Sequence, residues 1–164
     1  MRVPVLLLAA ALAGVPSLAA AEVAVRAEPG PYVSSWSFRS AAERDSIFRE
    51  LARYLERTGG RMLPKGRSAS IELVEIDPAG RFEPWRPGFD DVRVLRDVTP
   101  PRVKLRYAVT ERGRTLARGE ETVTDIDYLS NISARSSGDR LAYEKAMLRD
   151  WLDDRLVKLK PERR

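Results

Sequence analysis

Hydrophobic and polar residues alternate most cleanly between Arg102 and Val109. Val103, Leu105, Tyr107 and Val109 fall on one side, with Arg102, Lys104, Arg106 and Ala108 on the other. A period of two predicts a half-buried antiparallel strand with a basic outer stripe. Glu111-Arg112-Gly113-Arg114 then reads as a hairpin turn with Arg112 and Gly113 as its two-residue loop. That register sets Leu116 opposite Val109 and returns Glu120 and Glu121 toward Arg106 and Lys104, so acid–base pairs consume the stripe and no nucleic acid is expected as a partner. A shorter alternation, Val23, Val25 and Ala27 against Ala24, Arg26 and Glu28, predicts a strand stopped by Pro29-Gly30-Pro31. From Ala69 to Ile76 the apolar residues Ile71, Leu73, Val74 and Ile76 lapse from strict alternation, as burial on both faces of a strand would require. Val92, Val94 and Val98 against Arg93 and Arg96 predict one more strand, closed by Thr99-Pro100-Pro101.

Two stretches carry the helical period instead. Ser40 with Glu43 forms a capping box, and Ile47, Phe48, Leu51, Ala52 and Leu55 follow at helical spacing, so a helix starts at Ser40 and stops at Gly59-Gly60. Its opposite face is charged, with Asp45 and Arg49 spaced for an i,i+4 pair. A second helix begins near Asp139, where Leu141, Met147, Leu148, Trp151, Leu152 and Leu156 make a broad apolar stripe. Tyr32 to Arg39 reads as a loop that drops Tyr32, Trp36 and Phe38 onto the core, and Ser130 to Gly138 as a linker. The order strand, helix, antiparallel strands, helix gives an α+β fold: a single domain over residues 22–160, its mainly antiparallel sheet covered on one face by two helices. Residues 161–164 form a loose basic tail.

The start of the chain changes where this domain is expected to work. Met1-Arg2, an apolar run from Val3 to Leu12 and the small residues before Glu22 make residues 1–21 a signal peptide, which places the mature protein in the periplasm or outside the cell with no transmembrane segment. The 164-residue sequence contains neither cysteine nor histidine. Disulfides are thereby excluded, as are triads built on histidine and the usual ligand sets for zinc, copper or haem. No cofactor is expected. The net charge of +5 comes mostly from arginine, which permits contact with phosphate or anionic lipid but fits equally a genome rich in GC.

Candidate chemistry concentrates in the excursion from Arg81 to Asp91, where Phe82, Trp85 and Phe89 stand among prolines, a glycine and charged groups. Aromatic faces beside charges suit a sugar ring, a peptide or a phosphate, and loops on a rigid scaffold carry recognition more often than cores do. The candidate binding residues are Arg81, Phe82, Glu83, Trp85 and Arg86, with Arg93 and Arg96 beside them. A site of this kind recognises rather than reacts, and its partner would be an envelope protein or a glycan. The alternative is a hydrolase drawing two carboxylates from Asp77, Glu83, Asp125 and Asp127. Asp125 and Asp127 alone lack the additional oxygen ligands and glycine turn of a calcium loop.

Six segments taken together carry a family resemblance: Arg61 to Gly66, Ile76 to Gly80, Phe82 to Pro84, Val92 to Arg102, Asp125 to Leu129 and Leu141 to Trp151. With them, nearly all of the mature chain resembles the exported bacterial domain-of-unknown-function family 3016. The resemblance implies an exported α+β domain of Gram-negative bacteria, and it supplies no catalytic residue, because the family has no established activity.

Overall fold

Strand β1, Glu22–Ala27, and strand β2, Arg67–Asp77, lie side by side and parallel. Parallel neighbours need a long crossover, and helix α1, Ala41–Met62, supplies it. The computed structural model describes residues 21–30, 36–88 and 91–160. The predicted signal peptide apart from Ala21, Tyr32, Phe89 and the predicted basic tail fall outside these residues.

Ser40 caps α1 as its sequence predicts, accepting from the Glu43 N–H at 3.1 Å. The return bond of the box is displaced by one residue: the Glu43 carboxylate accepts from the backbone N–H of Arg39 at 2.7 Å. The apolar stripe Ile47, Phe48, Leu51, Leu55 is almost wholly buried, and each such side chain contributes on the order of 2 kcal/mol. The helix does not stop at Gly59-Gly60. Gly59 is a packing residue inside it, since a Cβ there would stand 3.1 Å from Val23 Cγ2 and 3.4 Å from Leu152. The helix ends where Leu63, extended before Pro64, donates its N–H to the Gly59 carbonyl. Asp45 pairs with its neighbour Arg44 rather than with Arg49 as expected.

Strand β2 pairs antiparallel with β5, Arg102–Glu111, and β5 with β6, Arg114–Thr124, giving the order β1-β2-β5-β6. The lapse of alternation in β2 has a different cause from the burial on both faces that was expected. A bulge between Leu73 and Glu75 shifts the register by one residue, so Ala69, Ile71, Leu73 and then Ile76 point to the core while Val74 and Glu75 stay partly or fully open. The hairpin turn is the predicted one, with Arg112 at φ 49° and Gly113 at φ 78°. A second register shift follows immediately, so Val109 faces Ala117 rather than Leu116, and Leu116 is left exposed.

The predicted strand Val92–Val98 shrinks to β4, Arg93–Val94, which pairs with β3, Arg81–Phe82, in a separate two-stranded ribbon. Val92 and Val98 lie beyond the two paired residues of β4 and are exposed. The predicted linker is also partly structured. A 3-10 turn at Tyr128–Ser130 leads into a one-turn helix α2, Ile132–Arg135, capped by the Asn131 side chain at 3.0 Å. Helix α3, Ala142–Leu152, continues into a π-helical turn, Asp153–Val157. Leu148, Trp151, Leu152 and Leu156 join the α1 stripe and the inner residues of the sheet in one core on one face. On the other face Arg106 pairs with Glu72 and Glu120, and Lys104 with Glu120. Mostly antiparallel strands beneath these helices make one α+β domain, and none of the described helices is long and apolar enough to cross a membrane.

Candidate functional site

The end of β2 sets the site in place. Gly80 turns the chain at φ 78°, and a Cβ there would stand 2.6 Å from the Val94 carbonyl oxygen, so only glycine lets β2 run this close to β4. Its N–H donates to the Thr99 carbonyl at 3.0 Å, and the N–H of Ala79 donates to Glu144 Oε1 at 2.7 Å. Glu144 is 1% exposed, and its second oxygen has no hydrogen-bond partner. Burial raises its pKa above the ordinary glutamate value, against the pull of the Ala79 N–H and the Arg93 guanidinium.

From this anchor the excursion folds onto itself. Arg81 forks onto Asp77 with two bonds of 2.8 Å, and Asp77 also accepts from the Ser37 hydroxyl at 2.6 Å. Two guanidinium groups stand over the Phe82 ring, Arg93 at 4.5 Å and Arg39 at 5.2 Å from its centroid. Arg93 is further fixed by donating to the Ser37 carbonyl at 2.7 Å. Its burial lowers its pKa from the ordinary arginine value, opposed by the acids Glu43 and Glu144 nearby. Glu83 is buried and takes hydrogen bonds from Arg96 Nε at 2.9 Å and Arg86 at 3.2 Å. Burial pushes its carboxyl up, the bonds from Arg96 and Arg86 more than offset this, and its pKa lies below the ordinary value.

Beside this internal pairing two tryptophans stay exposed. The Phe82 N–H donates to the Trp36 carbonyl at 2.9 Å, which brings the Tyr32–Arg39 loop against the excursion. Trp36 and Trp85 then meet edge to face with centroids 5.2 Å apart. They remain 56% and 60% exposed, so Trp36 does not drop onto the core as the sequence predicts, whereas Phe38 does. On a neighbouring side, Phe82 and Arg93 line an open hollow of about 390 Å³ with Arg39, Glu43, Arg140 and Tyr143.

The seven residues predicted to bind thus gather in one folded unit, but in four sets. Arg81 is tied to Asp77, Phe82 is stacked with Arg93, Glu83 is clasped by Arg86 and Arg96, and Trp85 meets Trp36 of the preceding loop. The four carboxylates of the hydrolase alternative are dealt to different places. Asp77 and Glu83 each hold their own arginines, while Asp125 accepts the Asp127 N–H at 3.1 Å at the end of β6 and lines a separate groove. Trp36, Arg39 and Glu144 complete the site without having been anticipated. For Glu144 a signal exists: it stands three residues after Leu141 and four before Leu148, on the apolar stripe of its helix.

The family described as "Protein of unknown function (DUF3016)" matches residues 32–154 of the chain. No curated protein and no solved structure matches it.

Proposed function

The chain belongs to the DUF3016 family, described only as proteins of unknown function, and from that premise we propose that it is an exported, periplasmic binding module that recognises an envelope glycan without transforming it. The observation that carries this reading is the tryptophan pair, two rings held edge to face and each more than half exposed on a unit locked from within by ion pairs. Exposed indoles on a rigid base lose little entropy on binding and offer flat apolar faces to the axial C–H surface of a sugar ring. Arg86, half exposed and anchored to Glu83, adds a directional donor beside them. The pairing of Arg81, Arg93 and Arg96 with groups of this chain favours recognition by ring faces over capture of a bare anion. Export is supported by the leader pattern of the first 21 residues.

The test is calorimetric titration of the mature protein with soluble peptidoglycan fragments and lipopolysaccharide core oligosaccharides, alongside Trp85→Ala and Trp36→Ala. One of these glycans should bind, and each alanine variant should weaken it at least tenfold while leaving the unfolding temperature near that of the wild type. Equal affinity in folded variants, or no heat with any glycan, refutes the reading.

A further inference from the structure

Strand β6 is an edge of the sheet, and its two halves are defended differently. Toward its start the register shift beside Thr115 and the charged Arg114 and Arg118 disrupt or guard the outer edge. From Thr122 to Thr124 there is no bulge, no proline and no lysine or arginine, and among the described residues no strand pairs with this side. In an antiparallel ladder alternate residues of such a strand turn their N–H and C=O outward, available to another chain.

That open half forms one wall of a groove of about 460 Å³, and helix α3 with the π-helical turn forms the other. Met147 and Trp151, each 5% exposed, show an apolar edge in the groove wall, and the Trp151 Nε1–H is already spent on Glu121 at 3.3 Å. The charged lining is acidic on a basic protein: Glu121, Asp125, Asp150 and Asp154 face Arg155 alone, four negative charges against one, where the whole chain carries +5. Arg155 is committed to Glu121 and Lys160 offsets Asp154, which leaves Asp125 and the exposed Asp150 as the acids toward an incoming group.

We propose that this groove binds an extended, arginine-bearing peptide segment of a partner protein, added as a strand beside Thr122–Thr124 with α3 as the second wall. Main-chain bonds to an edge strand give affinity, and alternate side chains reaching the groove give selectivity. Arginine fits the lining in both parts, its aliphatic stem over Met147 and Trp151 and its guanidinium at Asp150. A second copy of this chain is the rival occupant, and it is separable by experiment. The site shares no residue with the tryptophan pair and does not depend on the glycan reading.

The test uses NMR titration of the mature protein with a blocked pentapeptide carrying arginine at its second and fourth positions and threonine or valine between. Three comparisons accompany it: the same peptide with glutamate for arginine, the arginine peptide N-methylated on alternate residues, and the exposed-site variant Asp150→Arg. Saturable shifts confined to β6 and α3 are expected for the arginine peptide, with affinity falling at least tenfold in each of the three comparisons. Equal binding of the glutamate peptide overturns the charge argument, and equal binding of the N-methylated peptide overturns strand addition. Absence of binding overturns the proposal, as does self-association that shifts the same residues without peptide.

Discussion

Arg155→Met is the perturbation that tests the packing of the π-helical turn most directly. Glu121 stands on the inner face of β6, 6% exposed, and accepts Arg155 Nε at 2.7 and 2.9 Å as well as the Trp151 N–H. Removing the guanidinium leaves a buried carboxylate with one neutral donor. Breaking one side of a buried pair costs about 3 to 5 kcal/mol, and because both residues also line the groove, where water reaches their edge, the low end of about 3 kcal/mol applies. For a domain of this size that lowers the unfolding temperature by roughly 10 °C. Glu121→Leu should cost a similar amount by stranding Arg155. The double variant Glu121→Leu with Arg155→Met exchanges the pair for apolar volume and should recover most of the loss, to within about 1 kcal/mol of the wild type. Urea unfolding of the four proteins measures the cycle. A single variant costing under about 1 kcal/mol, or a double variant whose loss equals the sum of the singles, refutes the reasoning.

Two further outcomes follow from the anchor of the excursion. Gly80→Ala forces a side chain into φ 78° and against the Val94 carbonyl; it should destabilise by at least about 2 kcal/mol, read as a lower urea midpoint with loss of the Trp36–Trp85 contact, and an unchanged midpoint counts against the turn as described. Glu144 has a pKa raised in the folded state, so the stability its protonated form contributes is complete below the unfolded value near 4.5 and is lost as pH rises through the folded value. Arg93 and Asp139 face it with opposite effects, and Glu144→Gln keeps an acceptor for Ala79 while removing the charge. Between about pH 4 and pH 8 the stability of the glutamine variant relative to the wild type should therefore climb, and a difference that stays flat or falls sinks the assignment.

The sequence was most legible where neighbours along the chain decide the structure. The Ser40 cap, the alternation of β5 and the Arg112-Gly113 turn are local, and all are found. What escaped is set by contacts between distant residues. Nothing near Gly59 reveals that Val23 will lie against it, so a helix stop and a packing glycine read alike. The two register shifts, at Val74 in β2 and at Leu116 in β6, are invisible to a period of two, which they interrupt without a glycine or proline to mark them. The hairpin register alone sends Glu121 to the outer stripe with Glu120, although Val123 two residues later shares its face and turns inward. Within the site, the excursion was recognised by composition, but the ion pairs that lock it, and the arrival of Trp36 from the loop before α1, depend on chain segments brought together only by folding.

The arginines explain why so irregular a segment holds one shape. Between Asp77 and Thr99 few of the described side chains are buried, and hydrophobic burial alone could not fix a ribbon of two residues a side. Guanidinium groups substitute for a core because each carries several donors in a fixed plane and can tie two strands of chain at once. Arg93 joins β4 to the Ser37 carbonyl while lying on Phe82, Arg96 reaches back thirteen residues to Glu83, and Arg39 spans from the start of α1 to Asp91. The Arg96 carbonyl in turn receives the hydroxyl of the buried Tyr128 at 2.7 Å, which fastens the ribbon to the domain beneath it. A surface rich in arginine is usually read as a footprint for phosphate. Here those charges pair with carboxylates and carbonyls of the same chain, and beside the half-exposed Arg86 and Arg96 the rings of Trp36 and Trp85 are the aromatic faces exposed among the described residues.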